Sequence, residues 1–403
     1  MKKLRIGVYL DIEFKPQIGG AFSYSELLFE KINLFKFDDK IEILFISKHN
    51  IDSSLFEKPF IQIPEVKFLK NRWTLKLKLL CKLFSLVVLK HLKIHERIKN
   101  KIEKKVLLDT SGFLLQNKID LLYYLTPNLS PFHYPFIITH WDLGHKTMFV
   151  YQEVFNNTKF EKREFYHRVT LQKAFAIFVE SEQSKKELEI YESINPQRVF
   201  IVPLFPGKVV EMQVEDNEQL TILKQWQLLP NSFYFYPAQF WAHKNHFGLV
   251  MAFKVVVEKY PHFKLVLSGA DNGNMDYIKE IVQNEQLENN VIFTGFVSNE
   301  AIHSFYKNAI AMVMPTLLGP TNMPLLEAYY LGCPVLCSDL EGHKQQMGDK
   351  AVYFNPLNHD DIADKMIAVL TQNKVEIVKS NIDIPALLNQ HFLTLYNARK
   401  TFR

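Results

Sequence analysis

The feature that most constrains the fold of this 403-residue chain is a repeated alternation of short apolar runs with helical segments. In the first half, the apolar run Leu4–Leu10 precedes a helical spacing over residues 21–35, and Ile41–Ser47 follows as a second apolar run. The second half repeats the alternation, with Phe233–Pro237, a helical segment at His246–Lys259, and then Lys264–Ser268. Strands that alternate with helices favour parallel sheets with crossover connections. The sequence therefore predicts an α/β protein of two Rossmann-like, doubly wound lobes that face a central cleft.

The length and the break in the pattern indicate where the lobes meet. A chain of this length suits two domains of about 200 residues each. Residues 204–230 interrupt the alternation with Pro206, Gly207, Pro230 and an acidic stretch, which we interpret as the inter-lobe connection. We predict lobes at 1–204 and 205–380, and a last helix within 381–403 that is placed to pack back on the first lobe.

Several motifs occur in a fixed order along the chain. The second half contains FYPAQFWAHKNH at Phe235–His246, IFTGFV at Ile292–Val297, MPTLLGPTNMPLLEAYYLGCPV at Met314–Val335 and NPLNHDD at Asn355–Asp361. The first half adds IGGAFSY at Ile18–Tyr24, ITHWDLGH at Ile138–His145 and VESEQSKKEL at Val179–Leu188. Together these motifs resemble the family-4 retaining glycosyltransferases of the GT-B fold, of the bacterial polysaccharide and lipopolysaccharide type. The match covers most of the chain and is weakest over roughly 50–110.

The resemblance implies transfer of a hexose-type sugar from a UDP- or GDP-sugar to a glycan or lipid-linked glycan, with retention of configuration. The chain has no Asp-x-Asp and no G-x-G-x-x-G, which argues against a divalent metal and against a nicotinamide cofactor. The prediction is therefore no metal and no cofactor, with the nucleotide-sugar as substrate. Two alternatives remain open: a non-catalytic sugar-nucleotide-binding or partner subunit, and a nucleotide-sugar isomerase of the same fold.

A leaving diphosphate held without a metal needs cationic side chains and backbone N–H groups at a helix start. Lys244 falls where the family has its phosphate-binding lysine, and Thr321, Asn322, Met323 and Pro324 precede the helix that carries Glu327. The resemblance assigns donor phosphate to this helix start and ribose to Glu327. The plainer alternatives are a surface lysine, an ordinary N-cap at Thr321 or Asn322, and an exposed helix glutamate.

Other positions complete the predicted site. The family places a histidine beside the donor sugar where this chain has His140, followed by Asp142; a satisfied structural histidine is the alternative. The further candidates for the donor or acceptor are Gly19 and Gly20 after the first strand, His243 and Asn245 near Lys244, Gly269 after a strand, and Phe296 and Val297 near the base. His145 and Lys146 are weaker candidates, and Ser181, Ser184 and Lys185 fit either a family segment or an N-cap pair.

The chain departs from the family pattern at two positions. Gly319 stands where the family has a glutamate that touches the donor sugar, and Gln239 stands where it has an arginine that helps to hold the diphosphate. Both changes bear on activity and on donor choice. His243, Asn245 and Asn322 are the predicted compensating residues, and Gly319 leaves room for close backbone approach to the sugar.

Charge is concentrated in one segment. Residues 70–105 hold twelve Lys/Arg against two Glu, a net +10 that leaves −5 for the rest of a chain whose total is +5. Trp73, Leu77 and Phe84 have helical spacing there, so the segment predicts either a basic amphipathic helix on the inner face of a membrane, which we favour, or a helix within the first-lobe core. Three cysteines without metal spacing suit a reducing, cytoplasmic setting. No nucleic-acid motif accompanies the charge, so we expect no nucleic-acid partner.

Overall fold

The computed structural model describes residues 3–10, 20–49, 51–63, 111–127, 134–148, 150–151, 153, 158–371 and 382–401. The first lobe contains a seven-stranded parallel sheet in the order β3-β2-β1-β4-β5-β6-β7. Its strands are β1 (Leu4–Tyr9), β2 (Ile41–Ser47), β3 (Phe60–Gln62), β4 (Leu121–Tyr124), β5 (Phe136–Thr139), β6 (Ala176–Val179) and β7 (Val199–Ile201). Its helices are α1 (Gly20–Leu34), α2 (Gly144–Thr147), α3 (Lys159–Phe165) and α4 (Glu182–Glu192), with a π-helical turn at Tyr166–Thr170.

The second lobe repeats this design with a six-stranded parallel sheet in the order β10-β9-β8-β11-β12-β13. Its strands are β8 (Phe233–Pro237), β9 (Lys264–Ser268), β10 (Val291–Gly295), β11 (Ala311–Met314), β12 (Val335–Ser338) and β13 (Val352–Phe354). Its helices are α5 (Asp216–Gln225), α6 (His246–Lys259), α7 (Met275–Asn284), α8 (Asn299–Asn308), α9 (Met323–Tyr330), α10 (Glu341–Met347) and α11 (His359–Ala368). The predicted fold of two doubly wound lobes is confirmed.

Continuous apolar runs form the central strands because helices cover both faces of each sheet. In β8, Phe233, Tyr234, Phe235 and Tyr236 are all 0% exposed, so successive side chains are buried on opposite faces. The strand order reverses between β8 and its neighbours β9 and β11. Parallel sheets bind ligands in the crevice at the carboxyl ends of strands beside such a reversal. The loops after β8 and β11 therefore open at one edge of the sheet.

The crossing between the lobes lies within residues 204–230, but it takes up only a small part of them. Helix α5 lies within this stretch, and its Leu223 is buried in the second-lobe core together with Val209. Phe205 belongs instead to the first-lobe core, where it stacks on Tyr24. The crossing between lobes is thus only a few residues long. The acidic residues that suggested a linker include Asp216 and Glu218, which lie in the first turn of α5, where negative charge is favourable.

The last helix, α12 (Ile384–Thr401), packs into the core of the first lobe. Ile384, Leu388, Phe392, Leu395 and Tyr396 recur at helical spacing and are all buried. The Phe392 ring lies 6.0 Å from the Phe178 ring, measured between centroids. The chain therefore crosses back to the lobe in which it began, and the two lobes are linked at two places along the sequence.

Within the described ranges, no helix has both the length and the apolar character needed to cross a bilayer. The basic segment at 70–105 lies outside the described residues, and so does Gly19. The proposed membrane-surface helix stays a prediction.

Candidate functional site

A cleft of about 730 Å³ lies between the carboxyl edges of the two sheets and is lined by both lobes. The first lobe contributes Trp141, Asp142 and Glu180 to its walls, and the second contributes most of the predicted site. The predicted residues that line it are Gln239, His243, Lys244, Gly269, Phe296, Val297, Thr321, Asn322, Met323, Pro324 and Glu327. Lys244 and Glu327 thus face one common groove.

Lys244 ends a 3₁₀ turn, Ala242–Lys244, that follows β8. The Tyr236 hydroxyl donates to the Lys244 carbonyl at 2.9 Å, which fixes the turn against the buried strand. The Lys244 ammonium donates to Asn322 Oδ1 at 3.2 Å. Burial lowers the pKa of Lys244 to about 8, although Asp142 opposes this shift. At neutral pH the ammonium is therefore mostly charged and lies in the wall of the cleft.

The start of α9 is the second cationic feature of the cleft. Asn322 occupies the N-cap position, but its side chain makes no capping bond. The interpretation of Asn322 as an ordinary side-chain N-cap is therefore wrong. The partial positive charge at a helix start attracts anions. Because the Lys244 ammonium donates a hydrogen bond to Asn322, the ammonium and the helix N-terminus lie at the same part of the cleft.

Glu327 lies one turn inside α9 and is held by two donors. The Gly207 backbone N–H donates to its Oε1 at 3.2 Å, and the Tyr306 hydroxyl donates to its Oε2 at 3.1 Å. Burial raises the pKa of Glu327 to about 7. A Cβ on residue 207 would overlap Glu327 Oε1, so glycine is required for this approach. Sequence reasoning missed Gly207 and Tyr306 as partners of Glu327, because both lie far from it along the chain.

Glu180 and Asp142 are two of the acidic residues that the first lobe presents to this cleft. Glu180 follows β6, is 9% exposed, and accepts a hydrogen bond from the Thr321 hydroxyl of the other lobe. Burial raises the pKa of Glu180 to about 8. Asp142 differs because Arg163 pairs with it at 2.5 Å and the Gly144 N–H donates to it at 2.7 Å. These partners outweigh burial and lower the pKa of Asp142 to about 2.

The two departures from the family pattern have local structural explanations. Gly319 has φ +115°, a backbone conformation that a side chain strains, so a glutamate would not fit this loop without rearrangement. The Gln239 amide oxygen accepts from Trp241 Nε1 at 3.0 Å and from Asn272 Nδ2 at 3.2 Å. Gln239 thus braces the cleft wall through its oxygen and carries no charge.

Two predicted site residues have other roles in the structure. His140 is 3% exposed; its ring lies edge-on to His167 at 5.1 Å, and its side chain is not on the cleft wall. Burial lowers the pKa of His140 to about 4, so the ring is neutral. Asn245 has φ +56°, caps α6 by accepting from the Gly248 N–H at 3.1 Å, and donates to the Pro315 and Pro356 carbonyls. Its side chain is therefore committed to the loop rather than to a ligand.

His243 connects the lobes. Its backbone N–H donates to Glu153 Oε1 at 2.9 Å, and its ring Nδ1 lies 2.9 Å from the same oxygen.

Two other predicted positions lie at the starts of first-lobe helices. Gly20 is the first residue of α1. The Ser181 hydroxyl accepts from the Ser184 N–H at 3.1 Å, which makes the pair an N-cap of α4.

Behind the cleft, His145, His167 and Glu192 form a buried group whose possible metal-ligand atoms lie within 4.8 Å of one another. The Lys146 ammonium lies 2.8 Å from Glu192 Oε1, so the carboxylate already faces a positive charge. His145 and Lys146 thus belong to the packing of the first lobe and do not line the cleft. That the activity needs no metal stays a prediction.

Comparison with protein families finds a match to most of the second lobe. Residues 222–381 match the family model for glycosyl transferases group 1. The chain is 27% identical to the O-antigen chain mannosyltransferase B of Escherichia coli over 154 residues, which are 38% of this chain and 40% of that protein. The chain therefore spans less than half the length of this curated relative.

Solved structures share the whole fold. Sucrose-phosphate synthase from Thermosynechococcus elongatus superposes with a TM-score of 0.68 at 16% identity, covering 98% of this chain and 100% of that one. The Anabaena protein HepE in complex with UDP gives a TM-score of 0.58 at 16% identity, with 100% and 98% covered. These likenesses, with the group 1 match, confirm the expected resemblance to GT-B glycosyltransferases.

Proposed function

We propose that this chain, whose second lobe is a group 1 glycosyltransferase domain, transfers a hexose from a nucleoside-diphosphate sugar to a glycan acceptor with retention of configuration. The donor is a UDP- or GDP-sugar. The acceptor is a growing glycan, or a glycan linked to a polyprenyl lipid at the cytoplasmic face of a membrane.

One observation carries the proposal. Lys244 and the start of α9 meet through the 3.2 Å bond to Asn322, and Glu327 faces the same cleft one turn farther along α9. An ammonium and a helix N-terminus suit a diphosphate. A carboxylate beside them suits the hydroxyl groups of a ribose. The order of these groups along the cleft therefore suits the successive parts of a nucleoside diphosphate.

The chemistry follows from this arrangement. As the bond between the sugar and the diphosphate breaks, negative charge grows on the leaving phosphate, where Lys244 and the α9 start stabilise it. The leaving phosphate oxygen accepts the proton of the attacking acceptor hydroxyl, and the new glycosidic bond forms on the same face of the sugar. This route needs no protein nucleophile.

The relatives indicate which sugar to test first. The E. coli relative is an O-antigen chain mannosyltransferase, so mannose is the first sugar to test. HepE is described in complex with UDP and with UDP-glucose, which supports the inclusion of uridine donors.

The segment at 70–105 would bring the protein to an anionic membrane surface, because Lys and Arg near such a surface contribute about 1 kcal/mol each to binding.

The test is a thermal-unfolding screen with UDP, GDP, ADP and inorganic pyrophosphate. A ligand at 100 times its Kd stabilises by about 2.7 kcal/mol. That corresponds to roughly 5–10 °C for a domain of this size. UDP or GDP should raise Tm, and Lys244→Ala and Glu327→Ala should abolish or reduce the shift. Lys344→Ala, which removes an exposed lysine paired with Asp339, is the matched control and should keep it.

The second part of the test measures turnover of UDP-glucose and GDP-mannose with and without mannosylated acceptors. Product that requires the acceptor supports the transferase. Binding without turnover would favour the non-catalytic partner, and conversion of the donor alone would favour the isomerase. No stabilisation by any nucleotide would refute the assignment of the cleft.

A further inference from the structure

The orientation of the Asn322 amide is set by a chain of three hydrogen bonds that ends at Lys244. His343 Nδ1 lies 3.0 Å from the Ser338 carbonyl oxygen. A carbonyl oxygen can only accept, so Nδ1 carries the proton. His343 is 0% exposed, and burial lowers its pKa to about 4, so the ring is neutral and Nε2 is an acceptor.

The acceptor at Nε2 decides which end of the Asn322 amide faces it. Asn322 Nδ2 lies 2.9 Å from His343 Nε2 and donates to it. The amide oxygen is then turned to the other side, where it accepts from the Lys244 ammonium at 3.2 Å. The opposite orientation would put an NH₂ group against the ammonium and an oxygen against Nε2. Both contacts would then be unfavourable.

Helix α10 is built to hold Asn322 in place. Gln346 of this helix accepts from the Asn322 N–H and donates to the Asn322 carbonyl, both at 2.9 Å. A Cβ on residue 342 would overlap the Pro320 carbonyl, so only glycine lets α10 approach the loop this closely. One side chain of α10 thus fixes the backbone of Asn322, and a second fixes its amide.

We infer that His343 is a positioning residue for the anion site: through its hydrogen bond it orients the Asn322 amide, whose oxygen holds the Lys244 ammonium in the cleft. This inference rests on the proposed function only in taking a nucleoside diphosphate as the ligand. Pre-organised charge reduces the ordering cost of binding. His343 itself lies behind Asn322 and does not line the cleft.

Two substitutions separate the orienting bond from the packing of the ring. In His343→Gln, the side-chain oxygen reaches the position of Nε2 and can still accept from Asn322. In His343→Asn, the shorter amide reaches the position of Nδ1 and can still donate to Ser338, but the acceptor for Asn322 is lost. Both replace a buried ring by a smaller amide, so the loss of packing is similar in the two variants.

The measurement is the Kd of UDP and of GDP by calorimetry, together with Tm in the absence of nucleotide. We expect His343→Asn to weaken binding of the preferred nucleotide about tenfold, which is about 1.4 kcal/mol, and His343→Gln to weaken it no more than about threefold. Tm should fall by similar amounts in both. Equal Kd values in the two variants would overturn the inference, because the histidine would then act only through packing.

A measurement on the unaltered protein covers the case in which the variants do not fold. Nitrogen NMR of protein labelled at histidine distinguishes the two neutral tautomers. His343 should carry its proton on Nδ1 both with and without nucleotide; a proton on Nε2 would refute the inference. If the unaltered protein binds neither UDP nor GDP, the proposed function fails, and the tautomer still reports on the orientation of Asn322.

Discussion

Lys244 should make nucleotide binding depend on pH in a specific direction. Burial lowers the pKa of this lysine to about 8. At pH 7 the ratio of charged to neutral Lys244 is then about 10 to 1, and at pH 9 it is about 1 to 10. If only the charged form binds a diphosphate, the apparent Kd rises in inverse proportion to the charged fraction. The Kd for UDP or GDP should therefore increase about tenfold from pH 7 to pH 9, or about 1.4 kcal/mol.

Two other groups titrate in this window, so the experiment needs a control. Burial raises the pKa of Glu180 to about 8 and that of Glu327 to about 7, and both would add negative charge as the pH rises. Lys244→Arg separates these contributions, because a guanidinium stays charged throughout the range. The dependence that remains in Lys244→Arg belongs to the carboxyl groups, and the difference from the unaltered protein belongs to Lys244.

The assay is calorimetry at pH 7, 8 and 9 on the unaltered protein, Lys244→Arg and Lys244→Met. Lys244→Met should bind about 10- to 100-fold more weakly at pH 7, since a hydrogen bond to a charged group contributes about 1.5–3 kcal/mol. Identical pH profiles for the unaltered protein and Lys244→Arg would refute the argument, because the titration of Lys244 would then make no difference to the ligand.

Three further predictions concern other parts of the molecule. Gly207→Ala should displace Glu327, since the new Cβ overlaps Glu327 Oε1; calorimetry should show weaker binding of UDP or GDP and unchanged binding of inorganic pyrophosphate, and unchanged nucleotide binding would contradict the role of Glu327. The pKa of Glu180 in the folded state is about 8, well above its ordinary value of 4.5. The native state therefore keeps this proton, and the free energy of unfolding falls as the pH rises from about 4.5 to 8. Glu180→Gln should therefore match the unaltered protein at pH 4 and exceed it at pH 9 by about 5 kcal/mol in urea unfolding; a constant difference would exclude this titration. Phe392→Ala should cost about 3–5 kcal/mol in the unfolding of the first lobe, because Phe392 is 0% exposed, and a matched loss in the second lobe would contradict the packing of α12.

More of the predicted second-lobe residues than of the predicted first-lobe residues line the cleft, and the reason is physical. Lys244, Asn322 and Glu327 follow adjacent parallel strands or lie in the helix beyond them, so their positions follow from the sheet order. His140 also follows a strand, yet its ring turns into packing with His167. A strand end fixes where a residue lies, but the direction of its side chain depends on neighbours distant in sequence.

The sequence by itself determined the two α/β lobes, the parallel strands and the positions of the motifs, because these follow from local periodicity and short-range turn chemistry. The tertiary structure alone decided which partners those residues have. Gly207 reaches Glu327 across 120 residues, and Glu180 meets Thr321 across 141. Such contacts depend on the relative placement of the two sheets, and no short stretch of sequence encodes that placement. The contact between His343 and Asn322 lies within the second lobe, and it too became visible only in three dimensions, because it depends on how α10 packs against the loop before α9.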